Sequence, residues 1–132
     1  MDNPLANISS PEDARAALAN WKERADRLAS ESIAASEAVQ AVTATGQDDN
    51  GTVAVTLDSA GAIIAVHFEP ALARMQPRHA ERQFMQAYTN AGQALLVAAR
   101  AAVEERLPPT SPTAKALVDS IRMRFPERET EA

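Results

Sequence analysis

The chain contains no cysteine and little aromatic surface: one tryptophan, one tyrosine and three phenylalanines in 132 residues. The absence of cysteine excludes disulfides and thiolate metal sites. The scarcity of rings leaves the core to aliphatic side chains. Much of the 45% hydrophobic content is alanine, and at about 25 cal/mol per Å² each alanine contributes little. A monomer built this way has a thin core, so a second copy is expected to complete the burial. No apolar run approaches the ~20 residues of a membrane span. The opening "MDNPLANISS" has neither the basic nor the apolar region of a signal peptide. The expectation is a soluble cytoplasmic protein of one domain. A net charge of −5 excludes a generic polycation that coats nucleic acid, while permitting a local basic patch.

What the sequence does contain is helical spacing on both sides of one short β-rich stretch. "SPED" starts a helix: Ser10 caps, Pro11 takes the first turn, and Glu12 and Asp13 favour the positive end of the dipole. Two heptad-spaced seams follow, Leu18, Ala25, Ser32, Val39 and Ala14, Trp21, Leu28, Ala35, Val42, which suit packing against another helix. The helix is expected to end near residue 40. Three strands are predicted next, at about 41–46, 52–58 and 62–69. Asn50-Gly51 turns the chain between the first two, and "DSAG", with Gly61 at positive φ, turns it between the last two. Alternation puts Val53, Val55 and Leu57 on one face, and Ile64, Val66 and Phe68 likewise, so Val55 and Val66 are both expected to be buried.

Pro77 opens a second long helix reaching about Arg106, with an apolar seam of Ala80, Phe84, Ala87, Tyr88, Ala91, Ala94, Leu95, Ala98 and Ala102. Gly92 within it costs up to ~1 kcal/mol and marks a close crossing. After "LPPTSP", Ser111 and Pro112 start a short helix carrying Leu117, Val118, Ile121 and Phe125, expected either to pack back on its own domain or to dock on a partner. The fold class is α+β: a long helix, a three-stranded antiparallel meander, a long helix and a short C-terminal helix. The divisions are a disordered lead over 1–9, an α-βββ-α domain over 10–106, and a linker, short helix and polar tail over 107–132. A helix of ~30 residues is ~45 Å long and a strand of ~7 residues ~23 Å. The helices therefore overhang the sheet, which favours a dimer with projecting arms.

No catalytic constellation, phosphate loop or zinc spacing is present, so the chain is expected to be no enzyme and to hold no metal or cofactor. His67 and Glu69 share a strand face, but they read as a solvent-facing pair without a third ligand. His79 and Glu81, two apart on a helix, do not face each other. Trp21, Leu28, Val53, Val55, Val66, Phe68, Phe84 and Tyr88 read as core or dimer-packing residues. The cationic candidates are Arg74, with Arg78 and Arg82 four apart at the start of the second helix, and Lys22, Arg24 and Arg27, with Arg15 upstream, on the first. An arginine at a helix N-terminus is unfavourable for the helix, and a bound phosphate relieves it while meeting free N–H groups. The alternative for these residues is a solvated face with ion pairs such as Glu23–Arg27.

The stretch "NGTVAVTLDSAGAIIAVHFEPAL" and the later "AYTNAGQ" resemble the YbaB/EbfC family of bacterial nucleoid-associated proteins. The matching residues are Gly51, Val53, Val55, Val66, Glu69, Pro70, Leu72, Ala87, Asn90 and Ala91, within a likeness covering about residues 14–106. The first helix departs from the methionine- and glutamine-rich pattern of many members, and 107–125 lies outside the common pattern. The resemblance implies a YbaB-like fold and a non-enzymatic, tweezer-shaped homodimer, cytoplasmic and nucleoid-associated, that binds DNA with little sequence preference and no membrane. Nothing in the chain reads as a base-reading element, so contacts are expected to go largely to the phosphate backbone. The acidic charge and the extra C-terminal segment fit a second reading: a dimeric scaffold or secretion-associated adaptor of the same fold that binds a protein partner.

Overall fold

The computed structural model describes residues 10–125. The expected disordered lead over 1–9 and the polar tail after residue 125 lie outside them. Element order is α1 (Pro11–Gln40), β1 (Ala44–Gln47), β2 (Val53–Leu57), β3 (Ile63–Phe68), a 3-10 turn (Pro70–Arg74), α2 (Pro77–Glu104) and α3 (Pro112–Arg124). The α+β expectation holds element by element.

α1 starts as its sequence dictates: the Ser10 side chain accepts from the Asp13 N–H at 3.2 Å, with Pro11 in the first turn. The first strand begins at Ala44 rather than near residue 41. The reason is that the helix runs out gradually. The Ala41 N–H still donates to Glu37 O and the Val42 N–H to Val39 O, so neither residue is free to pair until the chain has straightened. Likewise α2 closes at Glu104, with Glu105 as its cap, two residues short of the expected Arg106.

The strands form one antiparallel sheet in the order β1-β2-β3. Gly46 lies opposite Val55, and Val55 opposite Val66; Val53 lies opposite Phe68. Both turn glycines have positive φ, 66° at Gly51 and 86° at Gly61, a conformation that a Cβ would strain. The first turn is tied down by Asp48, whose buried carboxylate accepts from the Thr52 hydroxyl and, at 2.8 Å, from the Val53 N–H. Burial pushes this carboxyl up, but the bonds from Thr52, Val53 and neighbouring amides outweigh it and hold the group below the usual carboxylate range. Asp49 and Gln86 then clasp turn to helix through two 2.8 Å hydrogen bonds.

One sheet face packs on α2, and the approach is close. A Cβ on Gly46 would stand 2.0 Å from the Ala91 amide nitrogen, so strand and helix backbones meet directly, and Asn90 Nδ2 donates to the Gln47 carbonyl at 2.6 Å. The core follows from this contact: Val53, Val55 and Leu57 from β2, Ala87, Ala91, Leu95, Leu96, Ala99 and Val103 from α2, Ala35 and Val39 from α1. The expected α2 seam is right as far as Leu95 and then widens, with Ala102 still packed on the core and Leu96, Ala99 and Val103 added. The cause is α3, which packs back on α2 and α1 and so covers a second side of the helix. At its end the Phe125 ring fills the space over Gly92, where a Cβ would come within 2.1 Å, and over Gly61. It meets the Tyr88 ring at 5.9 Å between centroids.

The expectation that Val66 is buried is corrected. Val66 and Phe68 share the face of Val55 and Val53, yet are 40% and 52% exposed. α2 runs over β1 and β2, and among the described elements β3 packs to any extent only on β2. Trp21 and Leu28 are not core residues of the chain either, at 62% and 53% exposed. Every residue of α1 from 18 to 31 is exposed, because the helix reaches the body only near Ala35 and Val39. Phe84 and Tyr88 are half-buried against the core.

Candidate nucleic-acid interface

The cationic residues divide by their surroundings. Arg74 ends the 3-10 turn, and Arg78 and Arg82 follow on the first turns of α2; all three are exposed. Pro70 and Pro77 fix the entries of these two elements. None of the three arginines joins an ion pair among the described residues. The N-terminus of α2 contrasts with that of α1. Its cap residue Gln76 makes no side-chain capping bond, and its first turn holds no acidic residue, whereas α1 has Ser10, Glu12 and Asp13. Among the described residues the positive end of α2 is thus left without a capping anion, with three guanidinium groups on or beside it. That combination attracts a phosphate oxygen through charge and through backbone N–H groups together.

The second cationic group lies on the projecting part of α1. Arg27 is paired with Glu23 at 3.2 Å, the solvated ion pair expected from their spacing. Lys22 and Arg24 are exposed and join no ion pair among the described residues. No hydrogen bond or ion pair among the described residues links this set to the α2 set. At the other end of the molecule Arg122 pairs with Asp119 at 3.2 Å, and Arg124 donates to the Ala60 carbonyl at 3.2 Å. A cavity of about 220 Å³ there mixes Arg100, Lys115 and Arg122 with Glu104 and Asp119, so its three cations are largely offset by two carboxylates.

His67 Nε2 and Glu69 Oε1 lie 2.9 Å apart, both well exposed, as the strand spacing implied. His79 turns toward Gln83, with 3.4 Å between the two Nε2 atoms, not toward Glu81. Among the described residues no group of three or more histidine, cysteine or acidic side chains could hold a metal ion. No helix among them is long and apolar enough to cross a membrane.

The elements together make a small α+β protein in which a helix, a three-stranded meander and a second helix carry an uncapped, arginine-bearing helix end. A sequence model of the YbaB/EbfC DNA-binding family matches residues 15–108, and the chain belongs to that family. It is a DNA-binding, non-enzymatic family. The match takes in both cationic groups and the whole sheet, while α3 lies beyond it. No curated protein sequence matches the chain.

Sequence reading missed two residues that position this interface. Gly46 sets the distance of α2 from the sheet; a glycine inside a strand pattern signals such an approach. Asp48 fixes the turn that Gln86 grips, one helical turn beyond Arg82; its signal is an aspartate four residues ahead of a threonine at a turn.

Proposed function

We propose that the chain is a homodimeric, nucleoid-associated protein that binds duplex DNA largely through the phosphate backbone. The supporting observation is the trio Arg74, Arg78 and Arg82, exposed and without carboxylate partners among the described residues, at the uncapped N-terminus of α2, in a member of a DNA-binding family. A dimer doubles the trio, which is how a chain of net charge −5 presents concentrated positive charge to a polyanion. The uncovered apolar residues of β3 and α1 supply the surface for a second copy. Lys22, Arg24 and Arg27 on the arm add contacts around it, and the cytoplasmic nucleoid is where such a protein works.

The test is a salt titration with duplexes of unrelated sequence. Log K falls linearly with log salt at about −0.9 per phosphate neutralised, so six arginines in a dimer set a ceiling near −5 for this patch. Replacing Arg78 and Arg82 by alanine lowers that ceiling by about 3 to 4 and weakens all duplexes equally. Absence of binding at low salt refutes the proposal. A sequence-dependent loss refutes the phosphate-backbone mode.

A further inference from the structure

Among the described residues two extended apolar surfaces are uncovered, and they lie on elements that do not pack on each other. One is the outer part of α1. Ala14, Leu18, Trp21, Ala25, Leu28 and Ser32 repeat at spacings of three and four, in line with Ala35 and Val39, which are buried on the body. Leu18, Trp21, Ala25 and Leu28 are exposed, Ala14 and Ser32 are half-buried, and the stripe is fully buried only at Ala35 and Val39. The other is β3, where every residue is exposed, including Val66 and Phe68, which pair with the core residues Val55 and Val53; Ile63, and not Ile64, pairs with Leu57 across a register shift. α1 packs on α2 and α3 and on no strand to any extent; β3 packs on β2 and on no helix to any extent.

We infer that these two surfaces cover each other across two copies: the stripe of α1 in one copy lies along the β3 face of its partner, and the partner returns the contact. This rests on the homodimer reading above and goes beyond it by naming what each copy contributes. Lengths agree. From Ala14 to Ser32 the stripe spans ~27 Å, and the six residues of β3 span ~20 Å. Shape agrees as well, because the large side chains Trp21 and Leu28 alternate along the stripe with the small ones Ala25 and Ser32, which leave room for Val66 and Phe68. The exchange also closes at two copies, being the same contact made twice. Six large side chains, each giving up ~100 Å², bury ~600 Å² per copy and ~1,200 Å² in all, the lower bound of a stable interface before any polar rim is counted. Pairing α1 with α1 leaves the β3 face open in both copies. Pairing β3 with β3 edge to edge satisfies backbone groups and leaves its side chains uncovered. Exchange covers both surfaces.

The composition makes the test direct, since the chain has no cysteine and one tryptophan. Leu28→Cys and Phe68→Cys chains, differently tagged, are co-expressed and treated with a short bismaleimide. Expected is a cross-link between the two variants at least ten times more abundant than either same-variant product. Independently, quenching of Trp21 fluorescence by acrylamide is expected to be several-fold weaker in the dimer than in Val66→Lys, or in the milder Phe68→Ser, each checked for retained helicity by circular dichroism. A sedimenting dimer whose cross-links are α1 to α1 or β3 to β3, or whose Trp21 is quenched as freely as in the variants, overturns the exchange and leaves the homodimer standing. A folded monomer at micromolar concentration overturns both. Protection of Trp21 only on addition of a different protein overturns the exchange as well.

Discussion

Gly46→Ala adds one methyl group at the point where β1 meets α2. The new carbon would lie 2.0 Å from the Ala91 amide nitrogen, 2.5 Å from the Asn90 carbonyl carbon and 2.6 Å from the Ala87 carbonyl oxygen, where ordinary contact begins at 3.4 Å. All three atoms belong to the backbone of a helix and cannot swing aside, so the strand must lift by more than an ångström. Overpacking typically costs about 1–3 kcal/mol, and backbone on both sides puts this case at the top of that range. Lifting β1 also stretches the bond from Asn90 to the Gln47 carbonyl, worth about 1 kcal/mol. Against this, alanine restricts the unfolded chain by about 0.4–1 kcal/mol, and Gly46 is not among the positive-φ glycines, so that gain is undiminished. The net loss is about 3 kcal/mol, or a fall in Tm of ~10–15 °C for a domain of this size. Gly92→Ala is the control. Its Cβ would come 2.1 Å from the Phe125 ring, a side chain at the end of α3 that can turn outward. Losing part of that ring's burial costs about 1.5–3 kcal/mol, while the helix interior gains about 1 kcal/mol from replacing glycine. The control therefore loses only about 1 kcal/mol. Thermal unfolding followed at 222 nm (roughly the helix band) ranks the two variants. A Gly46→Ala protein melting within ~3 °C of the unmodified chain, or less destabilised than Gly92→Ala, refutes the claim that backbone contact holds this layer.

Asp48 makes stability depend on acid: its folded-state pKa lies below 3.8, so its contribution is complete above that value and is lost as pH falls through the folded pKa. Urea midpoints should be level at neutral pH and drop below pH about 4; Asp48→Asn should cost about 1–2 kcal/mol at pH 7 and flatten that acid limb. Phe125→Ala should lower stability by about 3 kcal/mol, the low end for a buried ring because the residue ends its helix, measured by urea unfolding, and should expose Tyr88 to solvent in its ultraviolet difference spectrum. The Arg78→Ala/Arg82→Ala pair should leave the urea midpoint within ~0.5 kcal/mol of the parent while reducing the salt slope of DNA binding.

Legibility in the sequence followed the range of the interactions. The alternation of Val53, Val55 and Leu57 and the glycines at 51 and 61 are local rules, and the structure obeys them. Pro11, Pro77 and Pro112 each stand at a helix start for the same reason. Val66 and Phe68 carry the same alternation on β3, broken only where a register shift sets Ile63 opposite Leu57, and are nonetheless exposed. Alternation says which side chains share a face and is silent on whether any element covers it. Past Leu95 the α2 seam widens, with Ala102 still packed on the core and Leu96, Ala99 and Val103 added, because α3, about twenty residues later, supplies a second packing side. The arginine candidates were readable as types and spacings. That Arg27 has a carboxylate partner and Arg78 and Arg82 have none among the described residues depends on which rotamers and neighbours the fold brings within reach.

The bare span of α1 divides the molecule into two tiers of amide protection. From residue 18 to 31 the helix meets no other described element closely enough to bury a side chain. Its amides are held only by their own ladder, and an isolated segment of that length is marginal in water. In a lone chain these amides exchange with deuterium by fraying, on a scale set by helix–coil equilibrium and indifferent to the unfolding free energy. The amides of β2 and of α2 from 87 to 103, flanked by fully buried residues, open only when the whole domain does. Any rise in protection of the 18–31 amides above the helix–coil limit therefore reports contact with another molecule, read residue by residue without a label.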